Sequence, residues 1–159
     1  MSIERVKAHL DRWGRRADVM EFESSSASVE EAAETIGVIP ARIAKTLSFR
    51  GEQEKAILVV TSGEARIDNK KFRQHFGFKA RMLTSEEVVE QTGHMVGGVC
   101  PFGLENDLDV FLDISLKRFE TVYPACGSRN SAIELTCDEL LQFAGAKEWV
   151  DVCKDWSGK

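Results

Sequence analysis

The chain has 159 residues, 43% of them hydrophobic and 30% charged, which is the composition of one ordinary globular domain spanning 1–159. No apolar run approaches the roughly 20 residues that cross a membrane, and MSIERVKAHLDRWG lacks the apolar core of a signal peptide, so a cytoplasmic protein is expected. The net charge of −5, from 21 basic against 26 acidic residues, argues against DNA binding and against a broad nucleic-acid face of clustered Lys and Arg.

In chain order, Ile3, Val6, Leu10 and Trp13 recur at helical spacing before Gly14 and predict an amphipathic helix. DVMEF predicts a short strand. SVEEAAETIG places Ser28 three residues before Glu31, a capping box, and predicts a helix closed by Gly37. Pro40 opens a turn, after which AKTLSF and AILVVT flank RGEQEK as a hairpin. NKKFRQHFG predicts a helix, KARML a strand, and TSEEVVEQTG a helix with Thr84 and Glu87 as its capping box. The loop GGVCPFG (Gly97–Gly103) follows. DVFLDI is apolar enough for a central strand, TVYPA and AIELT predict shorter ones, and TCDELLQFAG repeats the capping box with Thr136 and Glu139. Strands outnumber what a regular βαβ alternation needs, so an α/β domain of the α+β type is expected: a mixed, largely antiparallel, curved sheet surrounded by helices.

Familiar catalytic signatures are absent: no G-x-S-x-G, no G-x-x-x-x-G-K-[ST], no H-E-x-x-H and no G-x-G-x-x-G, so no cofactor is expected. Cys100, Cys126, Cys137 and Cys153 form no C-x-x-C pair and read as reduced thiols. Of three histidines, His9 and His75 fall on helices whose polar faces would carry them, and no metal is expected. His94 and Cys100 flank the glycine loop and offer one reading, a base with a thiol nucleophile; the other is a cysteine lining a small apolar pocket. Lys45, in IAKTLSF, is either a strand lysine reaching solvent by its stem or a site cation. Asp113 ends an apolar run and needs a partner, and capping the following LKRF turn is its structural alternative. Gly97 and Gly98 allow a ligand close to the main chain, whose N–H groups could cradle an anion or oxyanion.

SSSASVEEAAETIGVIPARIAKTLSF, VGGVCPFGL, FLDISL and YPACGSRNSAIELT, in this order, resemble the YbaK/ProX family of aminoacyl-tRNA deacylases, related to the editing domain inserted in bacterial prolyl-tRNA synthetases. The resemblance covers nearly the whole chain. It implies that Lys45 is the family lysine at the pocket mouth, that Gly97 and Pro101 end a G-x-x-x-P loop with Gly98 inside it, and that Asp113 is the acid before the next helix. Gly127 and Ser128 fall in its late glycine loop. The implied activity is hydrolysis of the ester between an incorrect amino acid and the 3′ end of a tRNA, without cofactor, with a synthetase as a possible partner. Relatives are thought to use the neighbouring ribose hydroxyl to assist the water. Val99, Cys100, Phe102 and Cys126 would narrow the pocket toward alanine, serine or cysteine. Such an enzyme needs only a small basic mouth, which accommodates the acidity. Two other functions remain open: a non-catalytic module sensing an amino acid or charged tRNA end, and a thiol hydrolase using Cys100.

Overall fold

The computed structural model describes residues 2–24 and 28–156; residues 25–27 of the serine-rich motif lie outside the described residues, as do 1 and 157–159. The first apolar period forms α1 (Ser2–Asp11), which buries Val6 and Leu10. After β1 (Met20–Glu21), α2 (Val29–Ile36) starts at Ser28, whose hydroxyl accepts the Glu31 N–H. The expected box is only half made there, because the Glu31 carboxylate meets the Ser28 hydroxyl at 3.3 Å. A short 3₁₀ turn at Pro40–Arg42 leads into β2 (Ile43–Arg50), which pairs antiparallel with β3 (Ala56–Ser62) as the apolar runs predict.

β4 (Arg66–Ile67) precedes α3 (Asn69–Phe76), capped by Asp68, and α4 (Ser85–Thr92) carries the full Thr84/Glu87 box. KARML contributes a single bridge, Met82 to Phe49, rather than a strand. Then come β5 (Asp109–Asp113), β6 (Thr121–Pro124), β7 (Ser131–Ala132), β8 (Leu135–Thr136), α5 (Cys137–Ala144) with its Thr136/Glu139 box, β9 (Glu148–Val150) and β10 (Cys153–Lys154). No helix among the described residues is long and apolar enough to cross a membrane.

The main sheet runs β8-β6-β2-β3-β5-β9. It is mixed, as expected, but more parallel than hairpin counting implies: β2 with β6, β3 with β5 and β5 with β9 are parallel, while β2 with β3 and β6 with β8 are antiparallel. Parallel neighbours need crossover connections, and here α3 and α4 lie between β3 and β5. β3 is buried along its whole length because both faces are covered. Leu58 and Val60 join a core with Leu10, Phe102 and Leu140, and Val59 joins a second core with Phe49 and Phe72.

One irregularity of this sheet positions the site. β2 keeps β3 beside it to Arg50, yet on its other side it pairs with β6 only through Ile43–Tyr123 and Ala44–Pro124. Beyond Ala44 the sheet splits.

Candidate active site

The split leaves part of β2 with a bare edge. Near its end, Arg50 donates its N–H to the Arg81 carbonyl and Ser48 accepts the Leu83 N–H, so the even-numbered residues turn their backbone groups away from β3. Ala44, also even, faces β6. Thr46 lies between these two pairings with no strand beside it among the described residues, so its backbone N–H and C=O face the gap. Its hydroxyl is also buried without a hydrogen-bond partner among the described residues. Buried polar groups are normally satisfied by protein or water, so this open edge and hydroxyl are available for a ligand or water to bond.

A cavity of about 380 Å³ occupies the gap. Its walls come from α2 (Val29, Ala32, Ile36), from β2, from Val88 on α4, from Val96, Gly97 and Val99 at the glycine loop, and from Tyr123, Ala125, Ser128, Arg129, Ser131 and Ala132. Among the described residues Lys45 and Arg129 are the charged ones that line it, and no carboxylate or imidazole does. In a chain of net charge −5 this makes a small cationic pocket. Tyr123 stacks under the Arg42 guanidinium at 5.1 Å.

Lys45 points into the protein rather than out along its stem. Its Nζ donates to the carbonyls of Ala65 at 2.7 Å and Gly63 at 3.2 Å, which leaves one ammonium hydrogen uncommitted among the described residues. Burial pulls its pKa below the ordinary lysine value. Arg129 sits at the exposed rim, with Nε held by the Val96 carbonyl at 3.1 Å.

The glycine loop packs edge-on against residues 127–129. Gly97 has φ 96°, where side chains are strained, and a Cβ there would run into the Arg129 side chain. At Gly98 a Cβ would stand 2.8 Å from the Ser128 backbone. The Gly98 N–H is occupied by the Met95 carbonyl at 2.9 Å, which corrects its expected place in an anion cradle. Among the described residues no acceptor meets the N–H of Gly97 or Val99.

The structure brings together Lys45, Gly97, Val99 and Ser128 at the cavity and leaves other expected site residues out of its lining. Cys100, Phe102 and Cys126 are fully buried in the core, and Pro101 and Gly127 are buried outside the lining, so none of these narrows the cavity directly. The reason is local: the chain turns inward after Val99. Asp113 does not reach the cavity either. Its two carboxylate oxygens accept the N–H groups of Ser115 and Val152, each at 2.9 Å, which is the cap role and a tie to the C-terminal strands.

The thiol reading fails on the same ground. His94 Nε2 stands 3.7 Å from Cys100 Sγ, but both residues are 0% exposed. Burial pushes the Cys100 thiol up to about 12, so the thiolate nucleophile is absent near neutrality. His9 is likewise not on a solvated face: its ring bonds the Gly103 N–H and the Phe143 carbonyl. His75 does sit near the surface, 3.1 Å from Glu148. Sequence reasoning passed over Thr46, Tyr123 and Arg129. Thr46 follows Lys45 directly, but only the sheet split marks it, and Arg129 sits in GSRN beside a serine already singled out.

The fold, one mixed sheet with helices around it and a cavity at its split edge, is that of the aminoacyl-tRNA editing domain. Residues 23–143 match the family model of the aminoacyl-tRNA editing domain, and the chain belongs to that family. It is 66% identical over 156 residues to YwhH of Bacillus subtilis (strain 168), covering 98% of this chain and 99% of that one. It is 27% identical over 121 residues to EbsC of Enterococcus faecalis (strain ATCC 700802 / V583), named as a candidate Cys-tRNA(Pro)/Cys-tRNA(Cys) deacylase, covering 76% and 74%. A crystal structure described as a candidate trans-editing enzyme for prolyl tRNA synthetase superimposes with a TM-score of 0.87 at 34% identity, covering 97% of this chain and 98% of that one.

Proposed function

We propose that the protein is a trans-editing deacylase, an ester hydrolase that removes a mischarged small, uncharged amino acid of the alanine, serine or cysteine class from the 3′-terminal adenosine of a tRNA. The observation that supports this reading is the cavity itself: among the described residues both of its charged lining residues are cations, and the lining also includes Thr46 of the split strand edge and Gly97 and Val99 of the glycine loop.

A charged tRNA end presents phosphates, an acyl ester and an α-amino group. Arg129 at the rim suits a phosphate, and the remaining N–H of Lys45 suits a phosphate or ester oxygen. The α-amino group meets no carboxylate in the lining, so its hydrogens go to neutral acceptors, the Thr46 carbonyl and hydroxyl. Water then adds to the acyl carbon, and the carbonyl oxygen becomes an oxyanion that the Gly97 and Val99 N–H groups are free to receive. Collapse breaks the acyl C–O bond and releases the amino acid and the ribose hydroxyl. With neither imidazole nor carboxylate lining the cavity, the water's proton leaves to the substrate's own amine or ribose hydroxyl, or to solvent. Because the ester is activated already, positioning and oxyanion stabilisation carry the rate.

The named roles of EbsC and of the prolyl-tRNA synthetase trans-editing structure make proline tRNA bearing cysteine, alanine or serine the first substrates to try. The test follows acyl release from that panel, with correctly charged Pro-tRNA as control, for the wild type and Lys45→Ala. Selective hydrolysis that drops by about 10- to 100-fold in the variant is expected from losing one charged hydrogen bond. Full activity in Lys45→Ala would sink that residue's role, and binding of the charged tRNA without hydrolysis would replace the enzyme by a sensing module.

A further inference from the structure

The glycine loop is held from outside the matched editing domain. α1 precedes residues 23–143, and its Ser2, Arg5 and His9 share one helix face at spacings of three and four. Each of them bonds the segment Gly93–Gly103. Ser2 Oγ meets His94 Nδ1. Arg5 Nη2 donates to the Gly93 carbonyl at 2.8 Å and Nε to the Gly103 carbonyl at 3.3 Å, so one guanidinium spans both ends of the segment. The backbone is pressed against α1 so closely that a Cβ at Gly103 would stand 2.8 Å from the Arg5 carbonyl carbon.

His9 completes the set, and its protonation state is fixed by its partners. The Gly103 N–H can only donate, so Nδ1, 3.1 Å away, accepts. The Phe143 carbonyl of α5 can only accept, so Nε2, 2.5 Å away, carries the hydrogen. Both bonds together require the neutral Nε2–H tautomer. An imidazolium would set N–H against N–H at Gly103 and release the loop. The charged group beside the ring is Arg12, in the turn that follows α1, with Nη2 3.0 Å from Nδ1; α5 and the loop bring Phe143, Phe102 and Gly103 against it, none of which carries charge.

We propose that α1 is the staple that fixes the glycine loop, and that His9, through its bond to Gly103, is a positioning residue for the reaction. Burial and the Arg12 charge both lower the His9 pKa from 6.5, which keeps the ring neutral at physiological pH. As pH falls from 6.5 through the folded-state value the ring protonates and the Gly103 anchor is lost. The consequence for hydrolysis rests on the deacylase reading, but the fixing of the loop does not.

The experiment is amide hydrogen exchange of segment 95–103, corrected for intrinsic rates, in the wild type, His9→Ala and His9→Gln between pH 5 and 7.5, with β3 as internal reference. Glutamine offers an acceptor and a donor without titrating. At pH 7.5 His9→Ala is expected to speed loop exchange about tenfold, the worth of one hydrogen bond, without moving β3. On acidification the wild type is expected to rise toward His9→Ala while His9→Gln stays flat. Unchanged loop exchange in His9→Ala, or a rise shared equally by β3, would overturn the staple. An acid rise of equal size in His9→Gln would assign the titration to His94 inside the loop and overturn the role of His9. If the protein deacylates tRNA, the same His9→Ala is expected to lower kcat about tenfold with KM unchanged, so a failed deacylation assay leaves the exchange result standing on its own.

Discussion

Two halves of one loop behave as different parts of the molecule. Val96, Gly97 and Val99 line the cavity, whereas Cys100, Pro101 and Phe102, immediately after them, are buried away from it. The first half lines the cavity with Val96 and Val99, and its Gly97 and Val99 N–H groups meet no acceptor among the described residues. The second half is core, pinned by His94 Nε2 to the Phe102 carbonyl at 2.7 Å and by His9 to Gly103. Adjacency in sequence therefore says little about role in this segment: what matters is which side of the turn after Val99 a residue falls on.

The sharpest way to separate the halves is to damage each in turn. Phe102→Ala removes a fully buried ring, and a stability loss of about 3–5 kcal/mol is expected in urea titration, as for other buried aromatics. Gly97→Ala acts on the other half: its φ of 96° and the Arg129 side chain both oppose a Cβ, so the backbone must move. Its expected cost is about 10²–10³ in kcat/KM, the size of a lost oxyanion donor, with a stability change of only about 1 kcal/mol. A Gly97→Ala protein as unstable as Phe102→Ala would erase the distinction.

Smaller effects refine it. Val99→Ala enlarges the cavity wall, and a shift of about 1–3 kcal/mol in discrimination between substrates differing by a methylene is expected, read as a ratio of kcat/KM values. Acid should act on the core half. His9 and His94 are both held below the ordinary histidine pKa, chiefly by burial, so the unfolded chain takes up their protons first. Stability present above pH 6.5 is then lost as pH falls through the folded-state values, and thermal melts across pH 5–7.5 should decline in that direction. The smallest effect on activity is expected for Cys100→Ala, whose thiol neither faces the cavity nor ionises near neutrality.

Much of the fold was legible because its signals are local. The capping boxes at Thr84 and Thr136 and the apolar runs of β2 and β3 depend on residues within a few positions of each other. The parallel pairings of β3, β5 and β9 were not, since they depend on crossovers and on which apolar strand lies beside which. β4 and β10, two residues each, carry no period to read. At the site, Lys45 and Gly97 stood out by chemistry and conformation. Thr46 did not, because its unpaired groups exist only where β6 leaves β2. His9 was misread for a related reason: an amphipathic helix predicts a polar face but not that a loop from residues 93–103 will cover it.

The central claim is that the cavity-facing half of the loop, and not its thiol, acts on an aminoacyl ester. The direct measurement is single-turnover hydrolysis of mischarged proline tRNA by the wild type, Gly97→Ala and Cys100→Ala, each confirmed folded. The account predicts wild-type rates for Cys100→Ala, within about twofold, and a loss of about 10²-fold or more for Gly97→Ala. Loss of hydrolysis in Cys100→Ala with Gly97→Ala intact would contradict it.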